Sequence, residues 1–257
     1  MKSLTHPNRS SRSWDAVADW YAGWVGKDGS RHHKQLAIPL AMELLAPRPG
    51  EAIADLGCGP GVMAPYIAAA GARLTGIDLS PKLIALARQH HHGSGRFLVG
   101  DVTQLRRMPE LKPGSFDALL FLLSIQDIDP LEAAIGSAAW LLRPRGRLVL
   151  AMLHPCFRVP RQSGWGWDGN RRLQYRRLDS YMSPLAVPMQ SYPGGTGTTC
   201  SYHRPLGAYV DALTASGLAV TAMREVVGPC GSNGTRAERR AVAEFPLLLG
   251  IGAESRG

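Results

Sequence analysis

The sequence predicts an α/β fold, a doubly wound and mostly parallel sheet with helices on both faces. Three observations carry it. Between residues 51 and 153 short β-type runs alternate with helical ones, the order that parallel crossover connections produce. A glycine-rich turn at 57–61 stands where the first run gives way to a helix, and carboxylates stand where the next two runs end. Finally, 257 residues, 45% hydrophobic and 19% charged, suffice for one large α/β domain with a buried core. The expected organisation is one domain over 1–257, with 1–50 a helical cap and 154–205 an insertion.

Taken in order, Ser13 has the short polar side chain of an N-cap, and Trp14, Val17, Tyr21 and Trp24 or Val25 then fall on one helix face. A second helix is expected over 33–46, stopped by Pro47-Arg48-Pro49-Gly50. Strands follow at 52–56, 73–78, 96–99, 116–123 and 146–153, with helices over 62–70, 81–91 and 130–142 between them. Beyond Leu153 the alternation stops. Residues 154–201 are rich in Gly, Pro, Arg, Trp and Tyr, with a short β-type piece at 173–177. A structureless connection of that length does not suit a compact domain, so the stretch is expected to be a lid or an inserted substructure. A helix over 205–216 ended by Gly217 comes next. Two β runs, 218–227 and 241–251, around the turn-rich 228–234, close the chain.

The longest nearly apolar stretches, 118–125 and 245–253, are about half of the roughly 20 residues that cross a bilayer. Residues 1–13 are polar and basic, so no secretory signal is expected either. Cys58, Cys156, Cys200 and Cys230 lie far apart without a CxxC, which suggests neither a zinc site nor a disulfide framework and makes a reducing cytoplasm the expected compartment. The net charge of +9 is uneven: residues 154–205 hold seven arginines against two carboxylates. Such a segment suits an acidic substrate or nucleic acid, and equally a solvated basic face.

The chemistry centres on Ala54-Asp55-Leu56-Gly57-Cys58-Gly59-Pro60-Gly61. Glycines there let backbone approach a ligand, and the following helix offers free N–H groups and a positive dipole end. Gly76-Ile77-Asp78-Leu79-Ser80 places a carboxylate at the next strand end, where nucleotide folds grip ribose hydroxyls. Val99-Gly100-Asp101-Val102 ends the third strand with another. The glycine spacing is G-x-G-x-G rather than the dinucleotide G-x-G-x-x-G, and Asp55 ahead of it suits a cationic ligand group better than a pyrophosphate. An NAD-dependent oxidoreductase is therefore the weakest alternative.

With these motifs, and with Leu-Arg-Pro-x-Gly-Arg-Leu-Val-Leu at 142–150, the chain resembles the class I S-adenosylmethionine (SAM) methyltransferases. The resemblance is to the small-molecule branch similar to the ubiquinone and menaquinone biosynthesis type, and it runs from about Trp14 through Met152 and again over the closing helix and hairpin. It implies a Rossmann-like sheet of seven strands, mostly parallel, with an antiparallel last strand. By that resemblance Gly57, Cys58 and Gly59 present backbone to the methionine portion, and Asp55 helps bind its ammonium. Asp78 takes the ribose hydroxyls, with Leu79 packed on the adenine. Asp101 accepts from the adenine amine, Val102 donates its N–H to the ring, and Leu123 borders the methionine tail. Tyr21 matches an N-terminal tyrosine that closes over the cofactor; the alternative is a plain helix-face aromatic.

The fourth strand ends Leu123-Ser124-Ile125-Gln126-Asp127, without the Asn/Asp-Pro-Pro-Tyr/Phe motif of enzymes that methylate amino groups of adenine or glutamine. Cys156 follows the fifth strand, where RNA cytosine-5 methyltransferases carry a nucleophile, but the Pro-Cys they also need at the fourth strand is missing, which favours an inert thiol. His154, at a strand's C-terminal end, and His203, reaching back if 154–201 folds as a lid, are the candidate general bases; packing or capping is the alternative for each. His90–His92 end a helix before Gly93 and read as a solvated last turn rather than a metal site. Trp165 and Trp167 among Arg158, Arg161, Arg171, Arg172, Tyr175, Arg176 and Arg177 suit stacking on a planar acceptor or on bases, a lid packed on its own sheet, or a dimer contact.

The expected function is SAM-dependent methylation at O, N or C of a small molecule, aromatic or anionic, with S-adenosylhomocysteine as product. The alternatives are an RNA or tRNA methyltransferase that uses the basic insertion, and a SAM-binding regulatory protein without turnover. A homodimer is a further expectation.

Overall fold

The computed structural model describes residues 14–190, 197–229 and 234–256. Ser13, the expected cap, and Cys230 lie outside the described residues. The chain opens with a 3-10 turn, Trp14–Val17, that runs into α1 (Ala18–Val25). A wide π turn, His33–Ala37, leads into α2 (Ile38–Leu45), which ends at Ala46 in the left-handed region ahead of the Pro-rich breaker. Then come β1 (Ala52–Leu56), α3 (Ala64–Ala69), β2 (Arg73–Asp78), α4 (Pro81–His90), β3 (Arg96–Val99), β4 (Phe116–Leu122), α5 (Leu131–Leu141) and β5 (Leu142–Leu153).

Residues 154–201, expected as a lid or inserted substructure, fold largely into two antiparallel hairpins. They are β6 (Ser163–Asp168) with β7 (Leu173–Leu178), and β8 (Leu185–Gln190) with β9 (Thr198–His203). The chain closes with α6 (Leu206–Ala215), β10 (Leu218–Val227), α7 (Arg236–Glu244) and β11 (Pro246–Ser255).

Seven strands make one sheet in the order β10-β11-β5-β4-β1-β2-β3. All run parallel except β11, which is antiparallel to both β5 and β10, so the expected sheet is the observed one. The central strand β4 is buried along its whole length, as a parallel strand covered on both faces must be. Its side chains alternate between two cores. Leu119 and Phe121 belong to one, a layer completed by Ala134, Ile135 and Ala138 of α5 and Leu213 of α6. Ala118, Leu120 and Leu122 belong to the other, with Leu40 and Leu45 of α2, Ile67 of α3 and Ile84 of α4.

Three expectations are corrected. The run at 241–251 is not one strand. Thr235 caps α7 in a reciprocal capping box with Glu238, and the helix ends before Pro246, where β11 begins. The strand expected from Gly146 starts at Leu142, directly off α5, because an irregularity opposite Phe116/Ala118 and a positive φ at Arg145 absorb the turn inside the pairing. The turn at His90–His92 is not wholly solvated: His91 is buried, its ring 6.4 Å from that of Phe97.

Candidate active site

At the C-terminal edge of the parallel strands, where doubly wound sheets place ligands, lies a cleft of about 690 Å³. Its floor is the turn after β1. Gly57 has φ +75°, and a Cβ there would stand 2.6 Å from Cβ of Ser124, so only glycine lets the first and fourth strand ends meet. Gly59 has φ +52° and lies under the ring of Tyr21, 3.5 Å from where its own Cβ would be. The N-terminal cap is tied down beside it: Asp15 Oδ1 accepts from Ser80 Oγ at 2.7 Å and from Lys82 N at 3.0 Å.

Asp78 closes the end of β2. Its Oδ2 accepts from Gly59 N at 2.8 Å and its Oδ1 from Ser80 N at 2.9 Å, so the carboxylate fixes the glycine turn while facing the cleft. Burial raises its pKa, and the hydrogen bonds from Ser80, Gly59 and Leu79 oppose that rise. Asp101 is held by Thr103, whose N–H and hydroxyl both reach Oδ1, and by Gln104 on Oδ2 at 3.1 Å. Leu79 is 65% exposed, Val102 is buried, and both line the cleft. Leu123 directly follows β4 with φ +52°, a conformation uncommon for a residue other than glycine and held by its N–H to Ala151 O at 2.7 Å.

Eight of the ten expected cofactor residues thus line one cleft: Tyr21, Gly57, Gly59, Asp78, Leu79, Asp101, Val102 and Leu123. Asp55 and Cys58 do not line it. The Cys58 side chain turns toward Gly76 and Phe97, which leaves only its backbone for the turn, and burial raises its pKa well above the usual thiol value. Asp55 is fully enclosed, and neither of its carboxylate oxygens has a hydrogen-bond partner. Burial first, and then the charge of Asp78, push its pKa up to about 8. An unpartnered buried carboxyl behind a glycine cradle is what a cationic ligand group would satisfy, so these residues fit SAM.

The candidate bases fall elsewhere. His154 is buried at the end of β5. Its Nδ1 accepts from Cys156 N at 3.2 Å, so Nε2 carries the proton that is shared with Glu225 Oε1 at 2.7 Å. His203, also buried, bonds Tyr181 O through Nε2 at 2.6 Å. Neither ring lines the cleft. Residues not singled out from sequence do: Trp14, Ser124, Asp127, Asp129 and, from β9, Tyr202. Asp127 accepts from the side chains of Ser201 and Gln126, and burial pushes its pKa up to about 7 against those bonds and the charge of Arg204. Arg204 pairs with Asp129 at 2.8 Å, bonds Ile128 O and lies 5.2 Å over the Tyr202 ring. The signal for Asp127 was present, since it is a carboxylate in the turn that follows a parallel strand, on the same edge of the sheet as Asp78 and Asp101.

A seven-stranded sheet with one antiparallel strand, a glycine turn and acidic strand ends around one cleft define a nucleoside-binding enzyme of the methyltransferase type. The methyltransferase domain model matches residues 54–150. The ubiquinone biosynthesis O-methyltransferase of Xanthomonas euvesicatoria is 31% identical over 161 residues, 60% of this chain and 67% of that protein. The one from Xanthomonas campestris is 34% identical over 58% of this chain and 64% of its own length. Among solved structures, a SAM-dependent methyltransferase from Mesorhizobium loti superposes with TM-score 0.68 at 25% identity over 89% of this chain and all of that one. The chain belongs to the SAM-dependent methyltransferases.

Proposed function

We propose that this methyltransferase acts on a hydroxyl or amine of a small molecule seated between Asp127 and Tyr202, and that Asp127 takes the proton the acceptor loses. The observation that carries the proposal is the lining of the cleft. It holds the carboxylates of Asp78, Asp101, Asp127 and Asp129 and, among the described residues, no Lys or Arg. Such a lining receives hydrogen-bond donors and cations and repels anions, so the acceptor is neutral or cationic rather than the anionic one expected from the charge of 154–205.

The eight lining residues expected from the sequence hold the cofactor, with Asp55 behind them meeting its ammonium. SAM, when bound, supplies a methyl group on a sulfonium for in-line displacement. The chain's own tasks are then positioning, exclusion of water and acceptance of a proton. Asp127 is suited to the last, because a base with a pKa of about 7 is both ionised and basic enough near neutrality. The Tyr202 ring, backed by Arg204, offers the acceptor a flat wall. The names of the Xanthomonas relatives support oxygen as the methylated atom. His154 and His203 receive no proton-transfer role, since their hydrogen bonds are committed inside the protein; they hold the insertion in place.

Calorimetric titration with SAM, S-adenosylhomocysteine and NADH, followed by a mass-spectrometric screen of phenols, catechols and amines, tests this. Both adenosyl ligands should bind and NADH should not. Asp127→Asn should bind SAM as the wild type does while turnover falls about 10²–10⁴-fold. Full turnover in that variant would remove Asp127 as the base, and binding of NADH alone would remove the cofactor assignment.

A further inference from the structure

Apart from Arg204, which is paired with Asp129 behind the wall of the cleft, the arginines of the insertion lie away from the cleft. Most of them lie on the β6–β7 hairpin, which packs against α7, and between the two runs an open groove of about 970 Å³. One wall carries Trp165 and Trp167 of β6 with Arg171 and Arg172 of the turn that follows. The other carries Arg236 and Arg240 of α7. All four guanidiniums are exposed, and none forms an ion pair among the described residues. The lone carboxylate of the lining, Glu238, is committed to the capping box, where it accepts from Thr235 N at 2.6 Å.

Residues two apart on a strand share a face about 7 Å from each other, and here both are tryptophans. The ring of Trp165 is braced by Arg176 and Arg158, whose guanidiniums lie 5.2 and 5.9 Å from its centre, and by an edge contact with Phe245 at 5.7 Å. Trp167 is 58% exposed. Its indole is held on the hairpin with no other ring against it among the described residues. Gly166 between them is backed from the other face of the hairpin by Tyr175, whose ring would lie 2.4 Å from any Cβ added there.

The geometry points to a site for single-stranded nucleic acid in this groove, with successive bases stacked on Trp165 and Trp167 and phosphates paired with Arg171, Arg172, Arg236 and Arg240. Unpaired guanidiniums alone would accept an acidic peptide equally well. The two adjacent indoles favour a ligand with flat rings at regular intervals along an anionic backbone. The concave shape argues against a membrane surface. None of the groove's residues lines the cofactor cleft, so this site stands or falls independently of the methyl-transfer reading.

The test is fluorescence anisotropy of the full chain with a fluorescein-labelled oligouridylate of about 12 nucleotides. Four phosphate contacts predict a fall in affinity of about fiftyfold between about 50 and about 200 mM salt, from a log–log slope of about −0.7 per contact. The double variant Arg171→Gln/Arg236→Gln should make that slope shallower by about 1.4. Trp167→Ala should weaken binding about tenfold without altering the slope. Arg31→Gln/Lys34→Gln removes the same charge from the N-terminal helices and should leave affinity unchanged. All variants should bind SAM normally, which shows that they are folded. Failure to bind the oligonucleotide at low salt overturns the proposal, as does an equal loss in the two double variants. Equal affinity for ATP or for a heptaglutamate peptide reassigns the groove to a free nucleotide or an acidic protein and overturns it too.

Discussion

The two hairpins after β5 are built alike, four strands of six residues paired antiparallel, and they differ in what they lie against. The β8–β9 hairpin lies over the proposed cofactor cleft. It buries Val187, Cys200 and His203, packs on the short turns at Trp14–Val17 and Ile125–Asp127, and lends Tyr202 to the lining and Ser201 to Asp127. The β6–β7 hairpin buries none of its residues fully, carries most of the insertion's arginines and the exposed Trp165 and Trp167, and leans on α7. Charge and the proposed chemistry are thus separated within one insertion. A net charge summed over 154–205 describes mainly the hairpin that is away from the cleft, while the hairpin over the cleft contributes a hydroxyl, a phenol ring and apolar packing.

The comparison requires that the cleft under β8–β9 hold the cofactor, and Asp78→Ala is the most damaging test of that. The variant should weaken SAM binding about 10²–10⁴-fold, since it removes two charge-assisted hydrogen bonds to the cofactor at about 1.5–3 kcal/mol each. Asp78→Asn, which keeps one acceptor for Gly59 N, should lose less, and thermal melting checks that both are folded. Unchanged affinity in calorimetry would place the cofactor elsewhere and leave the position of β8–β9 without meaning.

A second test sharpens the contrast between the hairpins. The bond from Ser201 favours the ionised form of Asp127, so its removal raises the pKa. A base works deprotonated, so turnover rises with pH through the folded-state value. In Ser201→Ala the midpoint of that rise should move upward from about 7, with lower activity at neutral pH and recovery at higher pH. Arg177→Ala, in the corresponding part of the other hairpin and paired there with Asp179 at 3.1 Å, should leave the midpoint where it is. A shift in both variants, or in neither, erases the distinction.

What sequence made legible follows the same division. The parallel core was readable because β4 past Asp117 and the second half of β5, 148–153, are apolar runs, and because glycines and carboxylates mark the strand ends; Gly57, Gly59, Asp78 and Asp101 converge on one cleft with four of their expected neighbours. The helix α7 was not, since its last residues, 241–244, were joined to the apolar run that follows them, although Arg236–Glu244 is rich in helix formers and Thr235 and Glu238 had the spacing of a capping box. Asp127 was passed over because its segment was compared with a motif it lacks rather than with the strand-end carboxylates it matches. The pairing of the hairpins was out of reach: which strand of an irregular insertion lies over a cleft depends on long-range contacts such as Gly197 against Val17, to which no local pattern points.

The smallest effect is expected at the joint from which both hairpins hang. His154 is where the sequence directed attention for a base, and its ring instead links the start of the insertion to β10, with one nitrogen accepting from Cys156 N and the other bonded to Glu225. His154→Ala should therefore cost stability, about 1–3 kcal/mol for groups left without partners, and lower Tm by several degrees, while turnover and SAM affinity stay near wild type. Glu225→Gln keeps an acceptor for the ring N–H and should show a smaller fall in Tm. The opposite pattern, an intact Tm with turnover lost and SAM still bound, would return the proton to the imidazole. It would also make the root of the insertion, rather than its second hairpin, the part that reaches the reaction.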